Sequence, residues 1–408
     1  MSDLTRQQDQ AAAQGRPRRR LRRWVIGGVA TLIVAALAAV AGVAWYFSGL
    51  AIAVVREPVR DTTASPAAAG QVRLPQDHYA LLPGRYGLEW DGGYGAVGPV
   101  VATDGSSATR IFTPGTGTLA PGSPATLDPF AFTGDPRTAR GLDFREVRIP
   151  GELGEYPAWQ VPASAPGTAA GAAGDAGRTW VVFVHGHGSN RAESLRYLPT
   201  WHALGLPVLV ISYRNDVVAP SSPDGADHLG DTEWRDVEAA VRWALAAGAR
   251  DVVLAGWSMG GALTLQVADR SDLRGAVRGL ILDSPVMDWR SVFVHQGHDR
   301  GLPAPMSRLA AWTVQRRVDL DLDRFDWVRR SAELRLPMLV FAPDGDTYVP
   351  NGPALAVAAA RPDLVELVDD PRADHVRTWN VDPEVYEARL RAWLTRLDVT
   401  RPISAAAR

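Results

Sequence analysis

Sixteen residues, Asp251-Val-Val-Leu-Ala-Gly-Trp-Ser-Met-Gly-Gly-Ala-Leu-Thr-Leu-Gln266, restrict this chain more than any other stretch. The first half is a short, apolar, β-branched run, and the second half favours helix, so a buried strand must pass into a helix through the corner at Ser258. In Gly256-x-Ser258-x-Gly260 the glycines are a steric requirement, because a strand-to-helix turn this tight strains the serine backbone and leaves no room for larger neighbours. The turn holds Oγ clear of the sheet. The helix that follows aims unbonded N–H groups and the positive end of its dipole at the same place.

The flanking pattern agrees with a strand–helix layered protein. Trp180-Val-Val-Phe-Val, Val208-Leu-Val-Ile-Ser, Val252–Leu254, Leu280–Leu282, Met338–Phe341 and Leu364–Val368 read as apolar strands. Helices are expected from Asp231 or Thr232 to Ala247 and near Met259, Gly352 and Asp382. Such alternation predicts a mostly parallel central sheet with helices on both faces. Asp143-Phe-Arg-Glu-Val-Arg-Ile-Pro and Glu155-Tyr-Pro-Ala-Trp-Gln-Val-Pro precede it as two paired strands, and Ala163 to Arg178 is a low-complexity surface loop.

The N-terminal part is of another kind. Arg16-Pro-Arg-Arg-Arg-Leu-Arg-Arg is followed by 32 uncharged residues, Trp24 to Val55, more than the about 20 that cross a bilayer as a helix. A basic cluster immediately before an apolar run keeps the N-terminus in the cytoplasm and sends the rest outside. Trp45, Tyr46 and Phe47 suit the outer interface. A cleaved signal peptide ending near Ala51-Ile-Ala53 is the alternative, but its apolar core would be far too long. The division expected is a basic cytoplasmic tail (1–23), a transmembrane anchor (24–55), a flexible linker (56–71), a small β-rich module (72–141), a catalytic domain (142–397) and a C-terminal tail (398–408). A body beginning near Val72 is expected to be soluble and self-sufficient. Tyr79, Tyr86, Trp90 and Tyr94 are read as the module's own small core.

Composition narrows the chemistry. There is no cysteine, so thiolate nucleophiles, disulfides and cysteine-bound metals are excluded. Met1 to Arg23 holds seven arginines against two aspartates, which leaves an acidic body unsuited to nucleic acid.

Open α/β sheets place their sites where strands end, and three candidates fall there in chain order: Ser258, Asp346 and His375. With the elbow Gly256-Trp-Ser258-Met-Gly260-Gly, the acid segment Gly345-Asp346-Thr-Tyr-Val349-Pro350, Asp374-His375-Val and the turn His185-Gly-His-Gly, the chain resembles the α/β-hydrolase superfamily. It looks most like membrane-anchored bacterial hydrolases similar to serine aminopeptidases and dienelactone hydrolases. The resemblance covers roughly Leu142 to Leu397. It implies an α/β-hydrolase fold with a helical cap inserted at about 288–336, where Trp289, Phe293, Trp312, Phe325 and Trp327 would pack or shape a pocket. Ala342-Pro343 stands where many relatives carry His-Gly.

The roles follow. His375 would take the serine proton and return it to the leaving group, with Asp346 fixing the imidazole. Asp344 and Asp283 are rival acids, Asp283 being assigned instead to the Ser-Pro turn beside it. The N–H groups of Met259 and His187 would receive the developing oxyanion. His185-x-His187 and His295-Gln-Gly-His298 lack the further ligands of a metal site. His185 is read as structural, and Arg191, Tyr213, Arg214 and Asp216 as loop charges or ion pairs. Asp319-Leu-Asp-Leu-Asp is read as a helix-start surface run rather than a calcium loop. No cofactor or metal is expected. The function expected is a membrane-anchored serine hydrolase that cleaves small-molecule or lipid-like acyl esters through an acyl-enzyme. A peptidase, an amidase or an envelope acyltransferase would use the same triad, and a catalytically silent binding protein is the contrasting class.

Overall fold

The computed structural model describes residues 3–55, 60–163 and 177–399, with side chains from Arg22 onward. The low-complexity segment read as a surface loop falls mostly outside these residues, as does the C-terminal tail. The first element is one long helix, α1 (Asp3–Ala51). Every residue from 22 to 43 is exposed, and burial begins abruptly at Ala44. Among the described residues, Arg22–Ala51 is the one helical stretch long and apolar enough to cross a membrane.

Six antiparallel strands follow, β1 (Thr62–Pro66), β2 (Gln71–Pro75), β3 (Tyr86–Trp90), β4 (Gly93–Thr103), β5 (Ser107–Thr116) and β6 (Ser123–Asp128), with a short helix α2 (His78–Leu81) after β2. They close into a barrel in the order β1-β2-β5-β4-β3-β6, which leaves no open edge. Val72, Leu74, Tyr86, Leu88, Trp90 and Phe112 fill it, beside the small residues Ala64, Ala108 and Ala125. Arg110 is buried at the barrel wall, where its guanidinium donates to the carbonyls of Ala80, Leu82, Gly84 and Gly98.

Here the expected linker must be corrected. Thr62–Pro66 is not a spacer but a barrel strand, with Ser65 opposite Arg73 and Thr63 opposite Pro124. Its small polar residues look like a loop in sequence, yet a narrow barrel needs a small side chain facing inward, and Ala64 is fully buried. The expectation that the body begins at Val72 falls with it, because a cut there removes β1 and one residue of β2.

The remaining chain forms an eight-stranded mixed sheet in the order β14-β13-β12-β11-β9-β10-β8-β7. Its strands are β7 (Arg145–Gly151), β8 (Gly154–Val161), β9 (Thr179–Val184), β10 (Val208–Ile211), β11 (Asp251–Trp257), β12 (Val277–Asp283), β13 (Met338–Phe341) and β14 (Val365–Val368). Neighbours from β14 through β10 are parallel, and the β7–β8 pair joins antiparallel on β10. Side chains alternate between two cores: Val182 and Val184 face one, and Val181 and Phe183 the other. The first core takes α5 (Trp234–Ala246) and α6 (Met259–Arg270), and the second takes α4 (Leu198–Ala203) and α11 (Pro383–Arg396). The helix α3 (Pro136–Arg140) precedes β7, α9 (Gly352–Ala360) joins β13 to β14, and α10 (Thr378–Val381) leads into α11. Between β12 and β13 lie α7 (Trp289–Asp299), α8 (Ala304–Arg317) and two 3-10 turns.

Helix α5 starts at Trp234 rather than at Asp231 or Thr232. The buried Glu233 carboxylate accepts from the N–H groups of His228 and Gly230, holding the preceding residues in a turn instead. In the aspartate run, Leu320 and Leu322 are buried and Asp321 caps Asp323 N–H at a 3-10 start, in line with a surface helix start.

Candidate active site

The corner between β11 and α6 puts Ser258 at φ 53° and ψ −119°, a strained conformation for a residue with a side chain. The two glycines are needed as expected. A Cβ on Gly256 would stand 2.3 Å from the carbonyl oxygen of Gly260, and one on Gly260 2.2 Å from that of Val184. Met259 is the first residue of α6, so its N–H has no acceptor within the helix.

His375 Nε2 lies 2.9 Å from Ser258 Oγ, and Nδ1 lies 2.8 Å from Asp346 Oδ2. An ionised carboxylate can only accept, so Nδ1 donates to Asp346 and Nε2 is left to accept from the serine hydroxyl. Burial works to lower the His375 pKa, but the charge and hydrogen bond of Asp346 outweigh it and the net shift is upward from 6.5. The other Asp346 oxygen accepts from Tyr348 and Val349 N–H at 2.9 and 2.8 Å, which explains why the acid segment runs on into Thr-Tyr-Val-Pro.

The rival acids are elsewhere. Asp344 accepts from Asn351 Nδ2 at 3.2 Å on the exposed side of the turn. Asp283 is fully buried; its Oδ1 accepts from Ser284 Oγ of the Ser-Pro turn at 3.5 Å, as expected, and its Oδ2 accepts from Tyr386 Oη at 3.0 Å. Burial pushes the Asp283 carboxyl up to about 7, against the nearby charge of Arg196.

The loop carrying the histidine is held tightly. Asp374 Oδ1 accepts from the N–H groups of His375 and Thr347, at 2.6 and 2.7 Å, so one buried carboxylate ties the acid turn to the histidine turn. Val376 has φ 52°, a costly value for a β-branched residue. It is clamped by Ser284 Oγ on its N–H and by buried Arg196 on its carbonyl, at 3.0 and 2.8 Å. The barrel reaches the same loop: His78 Nε2 lies 3.2 Å from Asp374 Oδ2, Tyr79 Oη 3.4 Å from Thr347 Oγ1, and the Arg377 guanidinium over the Tyr79 ring at 4.9 Å. Tyr79 thus packs against the barrel core and also touches the second module, while Tyr86 and Trp90 lie within that core.

Gly186 lies against the serine, and a Cβ there would be 3.7 Å from Oγ. Its N–H is already donated to Glu193 Oε2 at 3.0 Å, which leaves the next one along, that of His187, as the candidate donor. The His187 ring pairs with Asp227 at 2.8 Å, and His185 is buried, stacked on Tyr213 and bonded to Asp216 at 2.8 Å. The two rings therefore do not converge on a common point, and no group of metal-binding side chains occurs among the described residues. Arg214 is held bidentately by Asp236, and Arg191 by Glu146 at 2.8 Å.

Ser258 and His375 open into a cavity of about 490 Å³ that is mainly apolar, with Trp289, Phe293 and Leu302 from the cap. Trp312 is exposed instead, and Phe325 and Trp327 are buried in the core. Sequence reasoning missed three lining residues, Phe47, Leu50 and Ala51, which come from the end of α1. The signal available was the surplus length of the uncharged run. A second cavity of about 730 Å³ touches Met259 and His187 but not Ser258, and it is walled by carboxylates such as Asp61, Glu89, Asp128 and Asp216. The smaller cavity is the candidate site because it contains the serine and the histidine.

Residues 181–405 match the model of the Alpha/beta hydrolase family, and residues 58–128 match a domain of unknown function. No curated protein matches the sequence. Solved structures of similar fold include an esterase of Pyrococcus furiosus, 18% identical with a TM-score of 0.50, covering 65% of this chain and 96% of that one. An acylaminoacyl peptidase of Pyrococcus horikoshii is 14% identical with a TM-score of 0.48, covering 84% of this chain and 56% of that one.

Proposed function

The chain belongs to the alpha/beta hydrolase family, and from that premise we propose that it is a membrane-anchored serine hydrolase cleaving carboxylic esters, with Ser258, His375 and Asp346 as its catalytic residues. The observation that carries this reading is the unbroken hydrogen-bond chain from Asp346 through His375 to Ser258 Oγ, ending in an apolar cavity. A serine hydroxyl is a poor nucleophile at neutral pH, so His375 Nε2 takes its proton as Oγ attacks the ester carbonyl carbon. The carbonyl oxygen gains negative charge and is met by the N–H groups of Met259 and His187, each held by its own turn before the reaction begins. Collapse breaks the acyl C–O bond, and His375 gives its proton to the departing alkoxide. Water then repeats the sequence on the acyl-enzyme, with His375 again as base, and Asp346 stabilises the imidazolium each time it forms.

An apolar cavity suits an acyl chain better than a peptide, which would need partners for its amide groups and terminal amine. The exposed, uncharged part of α1 behind an arginine cluster supports a single membrane span with the catalytic body outside the cytoplasm. The test is hydrolysis of p-nitrophenyl esters by the full-length protein in detergent. Ser258→Ala is expected to remove at least about 10³-fold of kcat, as loss of a triad nucleophile does, with an unchanged melting temperature. Equal turnover by the variant would refute the assignment.

A further inference from the structure

The end of α1 is built into the catalytic body. Arg317 of α8 donates to Trp45 O at 3.1 Å and to Ser48 Oγ at 2.9 Å, and its guanidinium lies 4.1 Å from the Trp45 ring centre. Ala44 and Ser48 are buried, and Ile52 belongs to the larger core of the sheet. The Ile52 carbonyl accepts from Asp227 N–H at 3.0 Å, Ala53 bridges Ala226, and Asp227 is the carboxylate that holds His187. Phe47, Leu50 and Ala51, fixed by these contacts, form one wall of the cavity that holds Ser258 and His375.

Length places this wall relative to lipid. A helix of about 20 residues spans the hydrocarbon of a bilayer. The uncharged run has 32, and its first part, Trp24 to Val43, is exposed throughout. The remainder is the part that packs on the protein. Phe47 is four residues past Val43, about 6 Å along the helix, so the cavity sits at the membrane surface. The outer face of α8 fits that position: Arg308, Trp312 and Arg316 are exposed at four-residue spacing, with the Arg316 guanidinium 5.4 Å from the Trp312 ring. Arginine and tryptophan together are the residue types that settle among lipid headgroups.

We propose that the end of the anchor helix is the acyl-chain wall of the active site, and that the substrate is a long-chain acyl ester resident in the membrane, its chain lying against Phe47 and Leu50. This rests on the serine-hydrolase reading above. The anchor then has two roles, holding the enzyme at the bilayer and setting which chain lengths it accepts.

The test uses full-length protein in phosphatidylglycerol vesicles with p-nitrophenyl esters of four to sixteen carbons dissolved in the same vesicles. Phe47→Ala enlarges the wall and is expected to move the preferred chain length upward, whereas Leu50→Trp narrows it and moves the preference downward. The ratio of long-chain to short-chain kcat/KM should change by about ten-fold in opposite directions, the scale on which apolar pockets discriminate methylenes. General loss of packing would lower all chain lengths together. Leu32→Ala, on the exposed part of the helix, should leave the ratio alone. The proposal is overturned if neither variant at the wall shifts the ratio, or if esters in solution are cleaved while those in the vesicle are not. If the wild-type protein cleaves no ester and Ser258 takes no fluorophosphonate, the serine-hydrolase reading fails as well. Labelling and turnover with an unmoved ratio sink this inference alone.

Discussion

In the proposed mechanism His375 acts as a neutral imidazole, so its upward pKa shift fixes the sign of the pH dependence. With the pKa raised above 6.5 chiefly by the Asp346 charge and hydrogen bond against burial, kcat/KM should climb with pH and reach half its plateau above 6.5. Asp346→Asn removes that support, and the midpoint should fall while kcat drops by about 10³–10⁴-fold. Asp344→Asn should change kcat less than about three-fold, since Asp344 sits on the solvent side of the turn. A midpoint unmoved in Asp346→Asn, in a pH–rate series, would contradict the assignment of the acid. Asp283 makes a separate prediction. Its folded pKa of about 7 is above that of an unfolded aspartate, so the stability it contributes is whole at acid pH and is lost as pH rises from about 4 through 7. Asp283→Asn cannot ionise, and its melting temperature should gain on the wild type across that window, where one proton changes stability by up to about 1.4 kcal/mol per pH unit. Ser258, Asp346 and His375 were legible in the sequence because each follows an apolar strand. Asp374 was not, because its value lies in partners far along the chain, Thr347 and His78.

At the scale of elements, the strand–turn–helix unit is decided by sterics within a few residues, which is why it could be read locally. Gly260→Ala tests that reading: its Cβ would press on the Val184 carbonyl, and the strain should cost about 1–3 kcal/mol. The urea midpoint should fall accordingly, whereas an unaltered midpoint would mean that α6 and β9 are not in such close contact. Strand β1 is the opposite case. Thr-Thr-Ala-Ser-Pro has a loop's composition and becomes a strand only because β2 and β6 lie on either side of it. A chain starting at Val72 should therefore melt below one starting at Arg60, which keeps β1 and the Arg60–Glu89 ion pair. Equal melting temperatures for the two would show β1 to be dispensable.

On the scale of the whole molecule, three modules meet at one loop and one cavity. The sheet supplies the strand ends, the barrel touches the Asp374 and Thr347 turn through His78 and Tyr79, and α1 closes the pocket. The alternating strands and helices made the sheet predictable, but contacts between distant apolar segments carry no local pattern, so the end of α1 read simply as more membrane helix. If the body is outside the cytoplasm, protease added to sealed spheroplasts should digest it and spare a tag before Arg16, and digestion only after lysis would reverse the orientation. If Ser258 is a nucleophile primed by His375, a fluorophosphonate added to the full-length protein should react there, and peptide mass spectrometry locates the adduct. One stoichiometric adduct on Ser258 is expected, forming far more slowly in His375→Ala. An adduct on another residue, or labelling of Ser258 at the same rate without the histidine, would contradict that reading.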